Sequence, residues 1–153
     1  MDVQNLYYSA RYVYKKKVNF AAVLKDAVNG RTLIRALAYV IQADELKEKS
    51  FFEALSKIGF DVKAKDLQIF YGGEKKGDWD VGIAVDAIQL AEKLDVVVIV
   101  SGDGDYKPLV EYLKNAKGCR VEAIAFGKST SRLLREVVDE FVDLDNNARK
   151  YLL

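Results

Sequence analysis

Along the chain, short aliphatic runs alternate with apolar stripes of helical spacing. The clearest run is Val96 to Val100, five aliphatic residues without a polar interruption, the pattern of a strand buried on both faces of a parallel sheet. It ends at Ser101-Gly102-Asp103-Gly104-Asp105. Pro108 then suits the first turn of a helix, and Leu109, Val110 and Leu113 supply its inward face. Val121 to Phe126 predicts a further strand, and Arg132 to about Glu140 a helix packed through Leu133, Leu134, Val137 and Val138. Phe141 to Leu144 predicts an edge strand before a polar tail.

Before Val96 the pattern predicts a tyrosine-rich helix over Leu6 to Val13 and a second helix, capped by Asn19, with Phe20, Val23, Leu24 and Ala27 on one face. Asn29-Gly30 stops it. Thr32 to Ile41 reads as a strand, Ala43 to Lys49 as a polar helix or loop, and Phe51, Phe52, Leu55 and Ile58 as a helix ended by Gly59. Residues 60–63 and 67–71 are strand-like, and Gly72 to Gly77 reads as a loop. Val81 to Lys93 predicts a helix with Val81, Ala84, Ile88 and Ala91 on one stripe and Asp78 or Asp80 as its cap. Strands alternating with helices imply an α/β fold with a mainly parallel sheet. Right-handed crossovers gather the acidic strand ends on one rim. No linker, biased tract or repeat divides residues 1–153, which read as a single domain.

Composition narrows the chemistry. With 24 Lys plus Arg against 23 Asp plus Glu, the net charge of +1 gives no global attraction to polyanions, so such a site must be a local patch. There is no histidine, which excludes imidazole metal sites, histidine bases and Ser-His-Asp catalysis. One cysteine, Cys119, excludes an internal disulfide. No leader-like segment or membrane-length apolar run is present, and a cytoplasmic location is expected.

The candidate chemistry is therefore carboxylate chemistry. Asp103 and Asp105, at the carboxyl end of a buried strand, sit where open α/β sheets hold ligands, and they also suit a plain turn. Asp86 has Ile83 and Leu90 as turn neighbours, so it is either paired or binds something. Asp80 is a cap or a ligand. Hard divalent cations take oxygen donors, and converging aspartates repel one another unless a cation lies among them. The lysines at 75, 76, 107 and 128 are solvated or contact phosphates, with Trp79 or Tyr106 offering a stacking face. Tyr7, Tyr8, Tyr12 and Tyr14 read as core and subunit-contact residues. A dinucleotide fold and a P-loop fail on the glycine spacing of the SGDGD turn.

The segments DVQNLYY, KKGDWDVGIAVDAIQLA and VVVIVSGDGDYKPLVEYLKNAKGCRVEAIAF resemble the NYN domain family, relatives of the PIN-like nucleases. The resemblance implies a three-layer PIN-like, Rossmann-like fold whose sheet rim binds Mg²⁺ or Mn²⁺. It implies catalytic and metal-binding roles for Asp2, Asp86, Asp103 and Asp105, a metal role for Asp80, and supporting roles for Asn5 and Ser101. RNA is the implied substrate, a metal-dependent ribonuclease the implied activity, and a non-catalytic regulatory or RNA-binding module, possibly a homodimer, the alternative. Family members have a buried aliphatic strand before the position of Asp2, whereas only Met1 stands there in this sequence. The first strand is thus expected to be truncated, its central position filled by another segment or open, and Asp2 loosely held.

Overall fold

The computed structural model describes residues 1–42 and 45–153, with the side chains of residues 45–47, 75 and 76 outside the described set. Two parallel strand groups run side by side. In the first, β1 (Leu37–Gln42) pairs with β2 (Asp61–Asp66), Leu37 opposite Asp61. In the second, β5 (Val96–Ile99), β6 (Arg120–Ala125) and β7 (Glu140–Asp143) pair in that order, with Val96 opposite Arg120 and Glu122 opposite Glu140. A two-stranded antiparallel hairpin, β3 (Gln68–Ile69) and β4 (Lys75–Lys76), stands apart.

Met1 and Asp2 join the two groups. The Met1 amino group donates to the Leu37 carbonyl at 2.7 Å, Tyr39 N–H to the Met1 carbonyl at 3.0 Å and Asp2 N–H to the Val100 carbonyl at 3.0 Å. These are bonds of a parallel ladder. Asp2 is thus fastened to both sides, contrary to the loose hold expected of it. Beside this two-residue segment lies a cleft of about 460 Å³, lined by Leu33, Ile34, Leu37, Val96 and Val98 among others. The central position is therefore only partly filled.

Helices cover both faces. On one, α1 (Val3–Tyr14), α2 (Phe20–Val28) and α3 (Glu45–Ile58) pack Leu6, Val23 and Leu55 onto Ala38, Val40, Val100 and Ile124. On the other, α4 (Asp80–Ala91), α5 (Lys107–Asn115) and α6 (Arg132–Val137) pack Ile83, Val110, Leu113 and Leu134 onto Tyr39, Ile99, Val121 and Ala123. Successive strand residues alternate between these cores, as the period of two requires.

Three expectations are corrected. The strand predicted over Thr32 to Ile41 starts only at Leu37; Leu33 and Ile34 are aliphatic but line the cleft and stay exposed. The helix predicted to Glu140 ends at Val137, because Val138 is already extended and leads into β7. The polar tail is folded: residues 144–147 make a 3₁₀ turn, α7 (Ala148–Tyr151) follows, and Leu144 and Tyr151 are buried. Among the described residues no helix is long and apolar enough to cross a membrane.

Candidate functional site

The SGDGD turn is shaped by packing. A side chain at Gly102 would stand 2.7 Å from the Thr130 hydroxyl, and one at Gly104 would stand 2.5 Å from that of Ser131. Ser131 N–H donates to the Gly102 carbonyl at 2.9 Å, pinning the turn to the loop after β6. Only glycine lets two backbones approach so closely. The Asp103 carboxylate accepts from Asp105 N–H at 2.9 Å and caps a 3₁₀ turn, Gly104–Tyr106, that leads into α5. Capping engages one oxygen of Asp103 and leaves the other free to act.

Asp80 comes from the first turn of α4. Its carboxylate accepts from the buried Tyr106 hydroxyl at 2.9 Å, and one oxygen from each of Asp80, Asp103 and Asp105 lies within 4.8 Å of the others. Burial first, and then the charges of Asp103, Asp78 and Asp105, push the Asp80 pKa up against the Tyr106 hydrogen bond. Asp2 shares a cleft of about 190 Å³ with Asp80, Asp103, Asn5, Tyr8 and Trp79. Its pKa is also raised, by burial and by Asp80 and Asp103. A close set of carboxylates that raises the pKa of Asp80 and offers oxygen alone suits a hard divalent cation.

Asn5 and Ser101 brace this arrangement. Asn5 accepts from Gly102 N–H at 2.9 Å through its side-chain oxygen, while its own N–H donates to Asp2 at 3.1 Å. The Ser101 hydroxyl donates to Asp2 at 3.4 Å and accepts from Asp103 N–H at 3.3 Å. Start of α1, strand end and turn are thus tied together.

Asp86 is elsewhere. It accepts from Lys63 Nζ at 2.7 Å and from the Tyr39 hydroxyl at 2.8 Å. Burial pushes its pKa up, but the lysine and tyrosine together hold it below the usual carboxylate range. Ligation was expected for Asp86; pairing is what the fold provides, and the residue is not in the group of mutually close carboxylates. Lys63 comes from β2, too far along the chain for sequence spacing to reveal.

Other expectations also shift. Tyr106 is 2% exposed and offers no stacking face. Trp79 turns its ring edge inward, donating from Nε1 to the Val40 carbonyl at 2.8 Å, with Lys65 4.7 Å from its ring centre. The expected cap is met in part: Trp79 holds the cap position of α4 without a side-chain bond, while the Asp78 carboxylate accepts from the first-turn Asp80 N–H at 3.4 Å. Lys107 lies 3.8 Å from Glu111 one turn on, and Lys128 Nζ lies 5.1 Å from the centre of the Tyr14 ring. Lys75 and Lys76 lie on β4, with their side chains outside the described residues. Tyr7, Tyr8 and Tyr12 are exposed, not core. The site also gives two tyrosines parts that sequence reasoning did not assign to them. Tyr8, in the DVQNLYY segment, lines the acidic cleft, and Tyr106, next to Asp105, anchors Asp80.

Comparison with known proteins agrees with this architecture. A solved structure of a protein of unknown function, VPA0982 from Vibrio parahaemolyticus RIMD 2210633, is 36% identical and superposes with a TM-score of 0.90 over 99% of this chain and 92% of that one. The Low amplitude and bright protein LabA of Synechococcus elongatus is 28% identical over 126 residues, 78% of this chain and 67% of its own length. The sequence profile of the NYN domain matches residues 1–145, a span that takes in both strand groups and all the clustered carboxylates. On that match the chain belongs to the NYN domain family.

Proposed function

We propose that the protein is a Mg²⁺- or Mn²⁺-dependent ribonuclease that hydrolyses RNA phosphodiester bonds at the acidic rim. The observation that carries this reading is the close approach of Asp80, Asp103 and Asp105 beside Asp2, in a chain with no histidine. Asp80, Asp103 and Asp105 hold the cation, with Asp2 facing the same cleft. A bound divalent cation supplies an activated water at neutral pH and neutralises charge gathering on a phosphate. The chain's own groups do the positioning. Tyr106 keeps Asp80 turned into the cleft, and Asn5 fixes the backbone of the turn.

A second reading, a non-catalytic NYN-type module that binds RNA, draws support from the pairing of Asp86 with Lys63, which removes one carboxylate from the set. Cleavage of a labelled RNA panel with Mn²⁺, comparing wild type with Asp103→Asn and Asp80→Asn, separates the two. Loss of cleavage in both variants is the expected result. Equal residual cleavage in all three proteins marks a contaminating nuclease and leaves the binding module.

A further inference from the structure

One surface beside the acidic cleft is unexplained by the fold. Helix α1 buries Val3, Leu6 and Ala10, yet its outer side carries Tyr7, Tyr8 and Tyr12, which are 37%, 48% and 71% exposed. Rings left this far in water bring only part of their burial energy to the fold, Tyr12 least of all. They are arranged as a set. Tyr8 and Tyr12, one turn apart, stack with ring centres 6.1 Å apart, and Tyr7 meets Tyr8 edge-on at 5.4 Å.

Charge distinguishes this surface from an ordinary apolar patch. No Asp or Glu occurs from Val3 to Lys25, whereas Arg11 lies between Tyr8 and Tyr12 and Lys15, Lys16 and Lys17 follow them. Arg11 donates to the Tyr7 hydroxyl at 2.8 Å and lies 6.0 Å from that ring's centre, and Lys15 Nζ lies 6.0 Å from the centre of Tyr12. Lys15, Lys16 and Lys17 are exposed and make no ion pair among the described residues. In a chain of net charge +1, this is a local excess of cations. It is also continuous with the acidic cleft, because Tyr8 lines that cleft with Asp2, Asp80 and Asp103.

We infer that the outer side of α1 is a stacking track for single-stranded nucleic acid, on which bases next to a phosphate held at the acidic rim lie against Tyr8 and Tyr12 while Arg11 and Lys15 to Lys17 follow the backbone. Ring faces bind unstacked bases with little regard for sequence, and a duplex keeps its bases stacked away from them. This inference rests on the reading of the site as one that acts on RNA. It can nevertheless be tested without cleavage.

The experiment measures fluorescence anisotropy of a labelled single-stranded oligouridine in EDTA, so that no metal-dependent hydrolysis occurs. Tyr8→Leu/Tyr12→Leu is expected to weaken binding about tenfold or more, since each stacked base is worth on the order of a tenfold change, while Tyr8→Phe/Tyr12→Phe keeps near wild-type affinity. Lys15→Gln/Lys16→Gln/Lys17→Gln is expected to flatten the salt dependence by about two units of log–log slope, roughly 0.7 for each phosphate that a lysine no longer neutralises. Unchanged melting temperatures verify folding, which the exposure of these side chains leads one to expect. Equal affinity of the leucine variant and the wild type, or no wild-type binding, overturns the track. So does a wild-type dimer that the leucine variant converts to monomer with RNA affinity unchanged, because the rings then form a self-association face. Tyrosine-dependent binding without Mn²⁺ cleavage supports the track while removing the nuclease.

Discussion

The two strand groups of this protein are held together in different ways. The β5–β6–β7 group is self-supporting: β6 is buried from Val121 to Ala125, both its neighbours are paired, and α5 closes one face with Leu109, Val110 and Leu113. Among the described residues the β1–β2 group has a single interstrand ladder, and most of β2 is exposed, with Lys63, Lys65 and Asp66 along an edge that charge keeps from pairing further. It is joined to the rest by Met1, Asp2, side chains of α4 and the two cores that both groups share. Asp80 reaches Tyr106, just after the strand end of the firm group, while Asp86 reaches Tyr39 and Lys63 of the looser one. Two carboxylates on one helix thus have different partners, set by which group each faces. The family resemblance assigned both to one metal site, whereas local sequence left Asp80 as cap or ligand and Asp86 as paired or binding; the seam between the groups sets them on different partners.

The largest effect that follows concerns activity. Asp80→Asn removes one of three mutually close donors and is expected to lower Mn²⁺-dependent RNA cleavage about a hundredfold or more, given that even supporting residues of metal sites are worth on the order of 10- to 100-fold. Asp86→Asn is expected to leave cleavage within about threefold of wild type, once compared at a temperature where both are folded. Single-turnover rates on one RNA substrate decide it. Equal losses would return Asp86 to the catalytic set and erase the distinction between the groups.

Next in size is the seam itself. Fusing five β-branched residues ahead of Met1 offers the cleft between residues 33–37 and β5 a strand that can pair with β5 and draw residues 33–36 into a ladder. Burying aliphatic side chains contributes about 1.5–3 kcal/mol each, against about 1–2 kcal/mol of backbone entropy per ordered residue. A net gain on the order of 3 kcal/mol corresponds to roughly 10 °C in Tm for a chain of this size. Thermal denaturation compares the extension with a version carrying Pro at its centre, which cannot complete the ladder. No difference between the two extensions would mean that the cleft does not accept a strand.

Much of the firm group is legible in the sequence, and much of the seam is not. Val96 to Val100 is an uninterrupted aliphatic run rich in β-branched residues, and Val121 to Phe126 is apolar but for Glu122; their length and flanking turn residues mark both as buried strands. The site's turn was equally plain, since Asp103 and Asp105 follow directly from that strand. Residues 32–36 misled because Leu33 and Ile34 have strand-like side chains but face the cleft. For Asp86, Ile83 and Leu90 pointed to a residue that is paired or binds something, but the partner, Lys63, comes from β2, out of reach of helical spacing. Tyr8 and Tyr12 at helical spacing looked like core; only the packing of Leu6 and Ala10 inward reveals that they point out.

The smallest and most specific consequence is a pair of opposite pH effects on stability. The folded-state pKa of Asp86 lies below its ordinary value of 3.8, so its pair with Lys63 stabilises the protein above that pH and loses its effect as pH falls through the lower folded value. Asp80 is raised above 3.8, so its contribution is fully present below that pH and is lost as pH rises through the higher folded value. At about pH 7 in EDTA, Asp86→Asn is therefore expected to lower Tm, by about 2–4 °C for a partly exposed pair worth roughly 1 kcal/mol, while Asp80→Asn raises it by removing a buried, repelled charge. Both differences shrink as the wild-type carboxylates become protonated in acid. Melting curves of the three proteins between about pH 3 and pH 7 test the sign. A Tm lowered equally by the two substitutions at neutral pH would mean that Tyr106 holds Asp80 as tightly as Lys63 holds Asp86, and that the rim carries a structural pair in place of a group of carboxylates strained toward a cation.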